Sequence, residues 1–337
     1  MATAGVRARA VAQPGRPARG ARDRVATCLA ARSAVHDRPI IRGRGGRERE
    51  AAVSRVAIVT DSASDLTTEQ ARAAGIRIVP LEVTFGSQRF KAGVDLTTEA
   101  FWERMVAPDA PFPTTAAASP GDFRAIFSEM FDAGADAIVC VNVAGTLSGT
   151  IKSATIAREM LADREIHVVD STSASMGEGM LALLGAEVAA AGSGAAEIGE
   201  RMRDRAADLN VFVALDTLEY LRKGGRISGT QAAIGGFLSV KPIITIKDGA
   251  VDTADRVRTR SKARERVLEL LTQRPVERLA ILYTTSTPEE VQAFKDEVVG
   301  RVPGGVDAGR VTVNPVGPSV GPHLGPGCLG GVVLYAR

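Results

Sequence analysis

The stretch Val56-Ala-Ile-Val-Thr60-Asp61-Ser62-Ala-Ser-Asp65-Leu66 decides how the rest of the chain is read. Its apolar residues follow one another without alternating, as in a strand buried on both faces, and it ends in small polar residues. The same grammar recurs. Strands are expected at residues 55–60, 77–85, 137–143, 166–170, 211–216, 242–246, 279–285 and 311–316. Helical stretches lie between them, at 97–106, 120–132, 150–161, 177–190, 195–208, 259–272 and 288–299. This alternation predicts an α/β fold with parallel or mixed sheets flanked by helices. Several strands end in Asp, Ser and Thr (Thr60-Asp61-Ser62, Asp170-Ser171-Thr172, Thr284-Thr285-Ser286), where open α/β sheets collect ligands. The plainer reading of these residues is helix capping.

At 337 residues the chain is long enough for two ordinary domains. The expected division is an Arg-rich extension at 1–52, an α/β domain at 53–172 and a second at 173–337. The first 52 residues hold twelve Arg, no Lys and four acids, so the remainder carries about −5 of the chain's overall +3. Such a segment, without apolar periodicity, reads as disordered, and Val53 is a plausible start for the compact protein. A mildly acidic body is a poor nucleic-acid binder. No apolar run reaches the roughly 18 residues that cross a bilayer. Cys28, Cys140 and Cys328 are far apart and fit a reducing cytoplasm better than a disulfide framework.

Familiar catalytic signatures are missing. There is no G-x-S-x-G elbow, no phosphate loop ending in Gly-Lys-Ser/Thr, and only three histidines, too few for a His-rich metal site. Four loops remain. In Pro113-Thr-Thr115-Ala-Ala-Ala-Ser119-Pro120-Gly-Asp122, Ser119 caps a helix opened by Pro120, which leaves the threonines unexplained, their hydroxyls expected near the start of that helix. In Asn142-Val-Ala-Gly145-Thr-Leu-Ser148-Gly149-Thr150, a strand, a turn and a helix start converge on one point, an anion site or a simple cap. Leu218-Glu-Tyr-Leu-Arg-Lys-Gly224-Gly225-Arg226 ends a helical turn on glycine, and Arg226 could meet an anion or a structural carboxylate. The apolar residues 234–246 that follow could line a pocket or be core. Finally, Gly317-Pro-Ser-Val-Gly-Pro322-His323-Leu-Gly-Pro-Gly327 holds a histidine on a shaped loop.

Taken in order, these motifs resemble the DegV family of bacterial fatty-acid-binding proteins. The likeness runs from the Thr-Asp-Ser opening at 60–62 to the Gly-Pro-Gly at 325–327, and includes the Leu-Ser-Gly-Thr turn and the Leu-Glu-Tyr-Leu…Lys-Gly-Gly-Arg segment. It implies a two-domain DegV-type fold with a long-chain fatty acid between the domains. The carboxylate would meet Thr115, Ser148 and the backbone at Gly149, with Arg226 and His323 nearby. It further implies a cytoplasmic, non-catalytic carrier, needing no cofactor or metal, that takes part in phospholipid metabolism and presents its lipid to a dihydroxyacetone-kinase-like fatty acid kinase. Three positions depart from the family pattern: Ala116, the Ala144-Gly145 pair and Pro322. Each is expected to remove a donor from around the head group. Two rival readings remain. One is a hydrolase or acyltransferase using Ser148 with His323; the other is nucleic-acid binding through the Arg-rich extension.

Overall fold

The structure is a computed structural model that describes residues 54–227 and 240–337. The extension at 1–52, Val53 and positions 234–239 of the apolar stretch lie outside the described residues.

The opening stretch forms β1 (Val56–Asp61), the centre of a wholly parallel sheet. Its neighbours are β2 (Ile76–Val79) and β6 (Ala137–Asn142), and β7 (Glu165–Asp170) closes the order β2-β1-β6-β7. The run expected as one strand at 77–85 breaks at Pro80, which has no N–H to continue a ladder. Beyond it β3 (Glu82–Phe85) joins a separate antiparallel sheet with β4 (Gln88–Lys91) and β5 (Thr114–Ala116). The third sheet is mixed: β8 (Leu209–Ala214), β9 (Lys241–Lys247), β10 (Ala250–Val257), β11 (Val276–Tyr283), β12 (Val311–Pro315) and β13 (Leu329–Tyr335), in the order β10-β9-β8-β13-β11-β12. Only β11 and β12 run parallel there.

Helices cover these sheets: α1 (Thr68–Ala73), α2 (Thr98–Met105), α3 (Pro120–Asp132), α4 (Thr150–Glu159), α5 (Met176–Ala190) and α6 (Ala195–Ala206) come first. A short α7 (Glu219–Lys223), then α8 (Arg260–Leu271), α9 (Pro288–Arg301) and a single-turn α10 (Gly321–Leu324) follow. The Ser119 cap is as expected: its hydroxyl accepts from the Asp122 N–H while Asp122 accepts from the Ser119 N–H, both at 3.1 Å. Helix α5 is apolar over most of its surface because it packs against both large sheets, reaching β1 and β6 on one and β13 and β11 on the other. Met176 and Leu181 share one continuous core with Val139 of β6 and Val332 of β13. Each such side chain contributes about 1.5–3 kcal/mol by burial. The third sheet is tied in through Trp102 of α2, whose indole N–H donates to the Val316 carbonyl at 2.9 Å. The same ring lies against Gly321, where a Cβ would come within 3.0 Å of it.

Candidate functional site

A narrow cavity lies where the loops after β1, β6 and β12 face the six-stranded sheet. Val211 and Val213 of β8, Ile244 and Ile246 of β9, and Leu282 of β11 form one wall. Ala63, Leu81, Val143 and Ala174 form the other. The void is about 80 Å³ although twenty described residues line it, so it is thin rather than roomy. Its polar side chains are Thr115, Ser148, Ser175, Arg226, Ser319 and His323. Among the described residues Arg226 is the one permanent charge in the lining, and no carboxylate lines it.

Thr115 sits in the middle of β5, opposite Val83 of β3, rather than at the start of a helix. Strand alternation turns it away from its exposed neighbours Thr114 and Ala116. Its hydroxyl lies 3.1 Å from Nε2 of His323. Burial, assisted by the Arg226 charge, lowers the His323 pKa to about 4, so the imidazole is neutral at pH 7. A neutral imidazole protonated at Nε2 donates to Thr115, and the Thr115 hydrogen is then directed elsewhere. His323 lies in the single-turn α10 rather than on an open loop, and its Nδ1 is buried without a protein partner among the described residues.

Ser148 precedes α4. Its oxygen accepts from the Thr150 N–H at 3.2 Å and lies 2.7 Å from the Thr150 hydroxyl. From just outside the Gly149 N-cap it satisfies the first N–H of α4, and it is also in the cavity lining. With Thr150 supplying the hydrogen between the two hydroxyls, Ser148 keeps its own for a ligand. Arg226 meets carbonyls rather than a structural carboxylate: Nε donates to Leu147 O at 3.1 Å and Nη1 to Gly224 O. Gly225 has the left-handed conformation that ends α7, at φ 69°.

The structure thus brings Thr115, Ser148, Arg226 and His323 to one cavity, whereas Gly149 is an exposed N-cap outside its lining. Of the three departures from the family pattern, Ala116 is exposed, and neither the Ala144-Gly145 pair nor Pro322 lines the cavity. Ser175 and Ser319 were not singled out from the sequence. Both sit in Ser-rich or Gly-rich loops after strands, a pattern too common to mark them.

The small polar strand ends do more than cap helices. Asp61 accepts from Ala63 N–H, Val143 N–H and Asn142 Nδ2, at 2.9, 3.1 and 3.1 Å. Thr284 and Thr285 accept from the Cys328 and Gly327 N–H groups, fixing the start of β13. Glu178 of α5 accepts from the Thr60 hydroxyl at 2.6 Å. Burial, with the Asp61 charge beside it, pushes the Glu178 carboxyl well above the usual range. Burial also raises Asp61.

A roomier crevice of about 600 Å³ on the same measure lies near the starts of α8 and α9. Its central carboxylate, Asp216, is already paired with Lys241 at 2.8 Å and with Arg260. None of the five sequence-derived candidates lines it. The narrow cavity is the better candidate because apolar walls and unspent hydroxyls meet there. Among the described residues no helix is long and apolar enough to cross a membrane, and no cluster of ligating side chains could hold a metal.

Comparison with known proteins agrees with this architecture. The family profile described as "Uncharacterised protein, DegV family" matches residues 55–336. A DegV domain-containing protein of Streptomyces coelicolor is 35% identical over 282 residues, covering 82% of this chain and 98% of that protein. A DegV family protein from Thermus thermophilus, whose structure is described as one of fatty acid binding, is 32% identical with a TM-score of 0.75. That match covers 84% of this chain and 100% of the other. A stearic acid-binding protein from Eubacterium ventriosum is 28% identical with a TM-score of 0.74, covering 83% and 98% of the two chains.

Proposed function

Since this chain belongs to the DegV family, we propose that its narrow cavity holds a long-chain fatty acid, carboxylate toward Thr115 and Ser148. The observation that carries this reading is the lining itself: among the described residues, β-branched and leucine walls, one cluster of hydroxyls, one cation and no acid. The acyl chain would supply most of the affinity, at about 0.8 kcal/mol per buried CH₂. A carboxylate left unpaired in such a space would be costly, so the two hydroxyls and Arg226 fix which end it occupies.

The protein acts as a carrier rather than an esterase. In support, a serine nucleophile needs its base within hydrogen-bond reach. Ser148 instead bonds Thr150, and His323 bonds Thr115. A carrier that fixes the carboxylate at one end of the cavity can present it to a separate fatty acid kinase, which would phosphorylate it to an acyl phosphate. This reading places the protein in the cytoplasm, where the buried thiols of Cys140 and Cys328 stay reduced.

Native mass spectrometry of the purified protein is the test. One bound fatty acid per chain is expected, released on denaturation. Protein that is lipid-free and takes up neither oleate nor palmitate ends the proposal. Adding a dihydroxyacetone-kinase-like subunit with ATP should then yield acyl phosphate only when the loaded carrier is present.

A further inference from the structure

Behind the cavity wall sits a carboxyl group that does not itself line the cavity. Asp65 follows the short turn Ser62–Ser64 in a left-handed conformation, φ 51°, and is buried. Its Oδ2 accepts from the Ser175 hydroxyl and its Oδ1 from the Gly317 N–H at 2.8 Å. Its own carbonyl accepts from Asn314 Nδ2 at 3.0 Å.

One partner lines the cavity and the other carries the turn that does. Ser175 lines it with φ 56° and ψ −144°, a backbone region that a residue with a side chain occupies only when its surroundings hold it there. Two contacts do so: the Asp65 carboxylate, and Ala63 O, which takes the Ser175 N–H at 2.8 Å. Gly317 is the foot of the turn that carries His323, because its carbonyl accepts the N–H groups of Val320 at 3.2 Å and Gly321 at 2.8 Å. One carboxyl group therefore spans from the start of α5 to the His323 turn.

We propose that Asp65 is a positioning residue for ligand binding, which holds the Ser175 wall and the His323 turn in register and takes up a proton when an anionic ligand enters. The proposal rests on the reading that the cavity takes a lipid carboxylate. Among the groups around Asp65, Asp61 on β1 raises it electrostatically, Glu178 on α5 lies beside Asp61, and His323 and Arg226 line the cavity. Burial, with the Asp61 charge, raises the Asp65 pKa to about 7 against the pull of its Ser175 and Gly317 contacts, so both forms are populated near neutrality. Bringing a second negative charge into the same low-dielectric region favours the acid form. The acid keeps both contacts: its O–H donates to Ser175 Oγ, and the Ser175 hydrogen turns away from Asp65.

Calorimetry of laurate binding near pH 7, in two buffers with different ionisation heats, counts the protons taken up. Wild-type protein should take up part of a proton per laurate and bind a few-fold more tightly at pH 6.5 than at pH 8. Asp65→Asn imitates the acid form, so it should take up none and show the same affinity at both pH values. Asp65→Ala should bind at least tenfold more weakly and exchange its amide hydrogens at 317–321 faster. Equal proton uptake in wild type and Asp65→Asn, or none in wild type, overturns the proposal. Should Asp65→Ala not fold, Ser175→Ala replaces it: several-fold weaker binding is expected, and wild-type affinity counts against the idea. If wild-type protein binds neither laurate nor oleate, the lipid reading fails. Unchanged exchange at 317–321 in Asp65→Ala would instead sink the positioning role alone.

Discussion

Thr115 and Ser148 share one device. Each hydroxyl has a neighbour able to satisfy its oxygen, His323 Nε2 for the first and Thr150 for the second, which leaves each hydrogen for a ligand. A hydrogen bond to a charged group contributes about 1.5–3 kcal/mol. Thr115→Ala and Ser148→Ala should therefore each weaken oleate binding by roughly ten- to a hundredfold, and Thr115→Ser should restore most of it in a fluorescent fatty-acid displacement assay. Unaltered affinity in both alanine variants would place the carboxylate elsewhere. The residues of this site were legible because their motifs are unusual for their chemistry: hydroxyls, glycines and one histidine in loops that no capping rule used up. Their local conformation was less legible. Thr114–Ala116 is a three-residue strand, too short for any periodicity to declare. Asp65 could be quoted but not understood, since nothing in the chain order says that it meets Ser175 and Gly317.

At the scale of elements, α7 and α10 interlock through two glycines. A Cβ on Gly224 would lie 2.1 Å from His323 Nδ1, and one on Gly325 would lie 2.2 Å from the Tyr220 ring, with Gly325 also at φ 75°. Each short helix gives up a side chain so that the other can place its own. Gly224→Ala should push the imidazole off Thr115 and cost about 1–3 kcal/mol of overpacking. Denaturant unfolding should show that loss, together with weaker oleate binding; a variant with wild-type values of both would refute the interlock. Some elements were readable but unread. Asp248-Gly249 is a two-residue hairpin turn with φ 50° and 78° joining β9 to β10, the very dipeptide that signals one. Strand β13 begins Leu329-Gly-Gly, which locally argues against a strand. It is central in the sheet because Gly330 lets the Phe212 carbonyl approach: a Cβ there would lie 2.2 Å from that oxygen.

For the molecule as a whole, the alternation of strands and helices was enough for the fold class, but not for which strand joins which sheet. The chain leaves the parallel sheet after β2 and returns at β6, and only Pro80 hints at the departure. The acids also fall into two populations. Those at the surface, such as Asp122 hydrogen-bonded to Ser119 and Glu187 bonded to Arg278, are held below the usual carboxylate range. Their stabilising effect is lost only in acid, as pH falls toward and below their unfolded values near 4. The buried acids behave in the opposite sense. Asp65 has a folded pKa of about 7 against an ordinary 3.8. Its contribution is complete below pH 4 and is lost as pH rises through 7. From pH 6 to pH 8 the surface acids are constant; ionisation of Asp65 lowers stability by about 1 kcal/mol, while His323, neutral in the fold against an ordinary 6.5, raises it by a smaller amount over the same interval. Urea unfolding of wild type and Asp65→Asn at the two pH values would isolate the Asp65 contribution: the variant's stability relative to wild type should rise by about 1 kcal/mol between pH 6 and pH 8. A difference between variant and wild type that does not change over this interval would contradict it.

The chain has a single tryptophan, and its position gives the indole an optical use. Trp102 is bonded to the Val316 carbonyl and rests on Gly321, so its ring senses the turn that delivers His323. Emission from that one fluorophore is free of overlapping signals from other indoles. Motion of the turn can therefore be followed in unlabelled protein on the timescale of rapid mixing, without tagging the lipid or the chain.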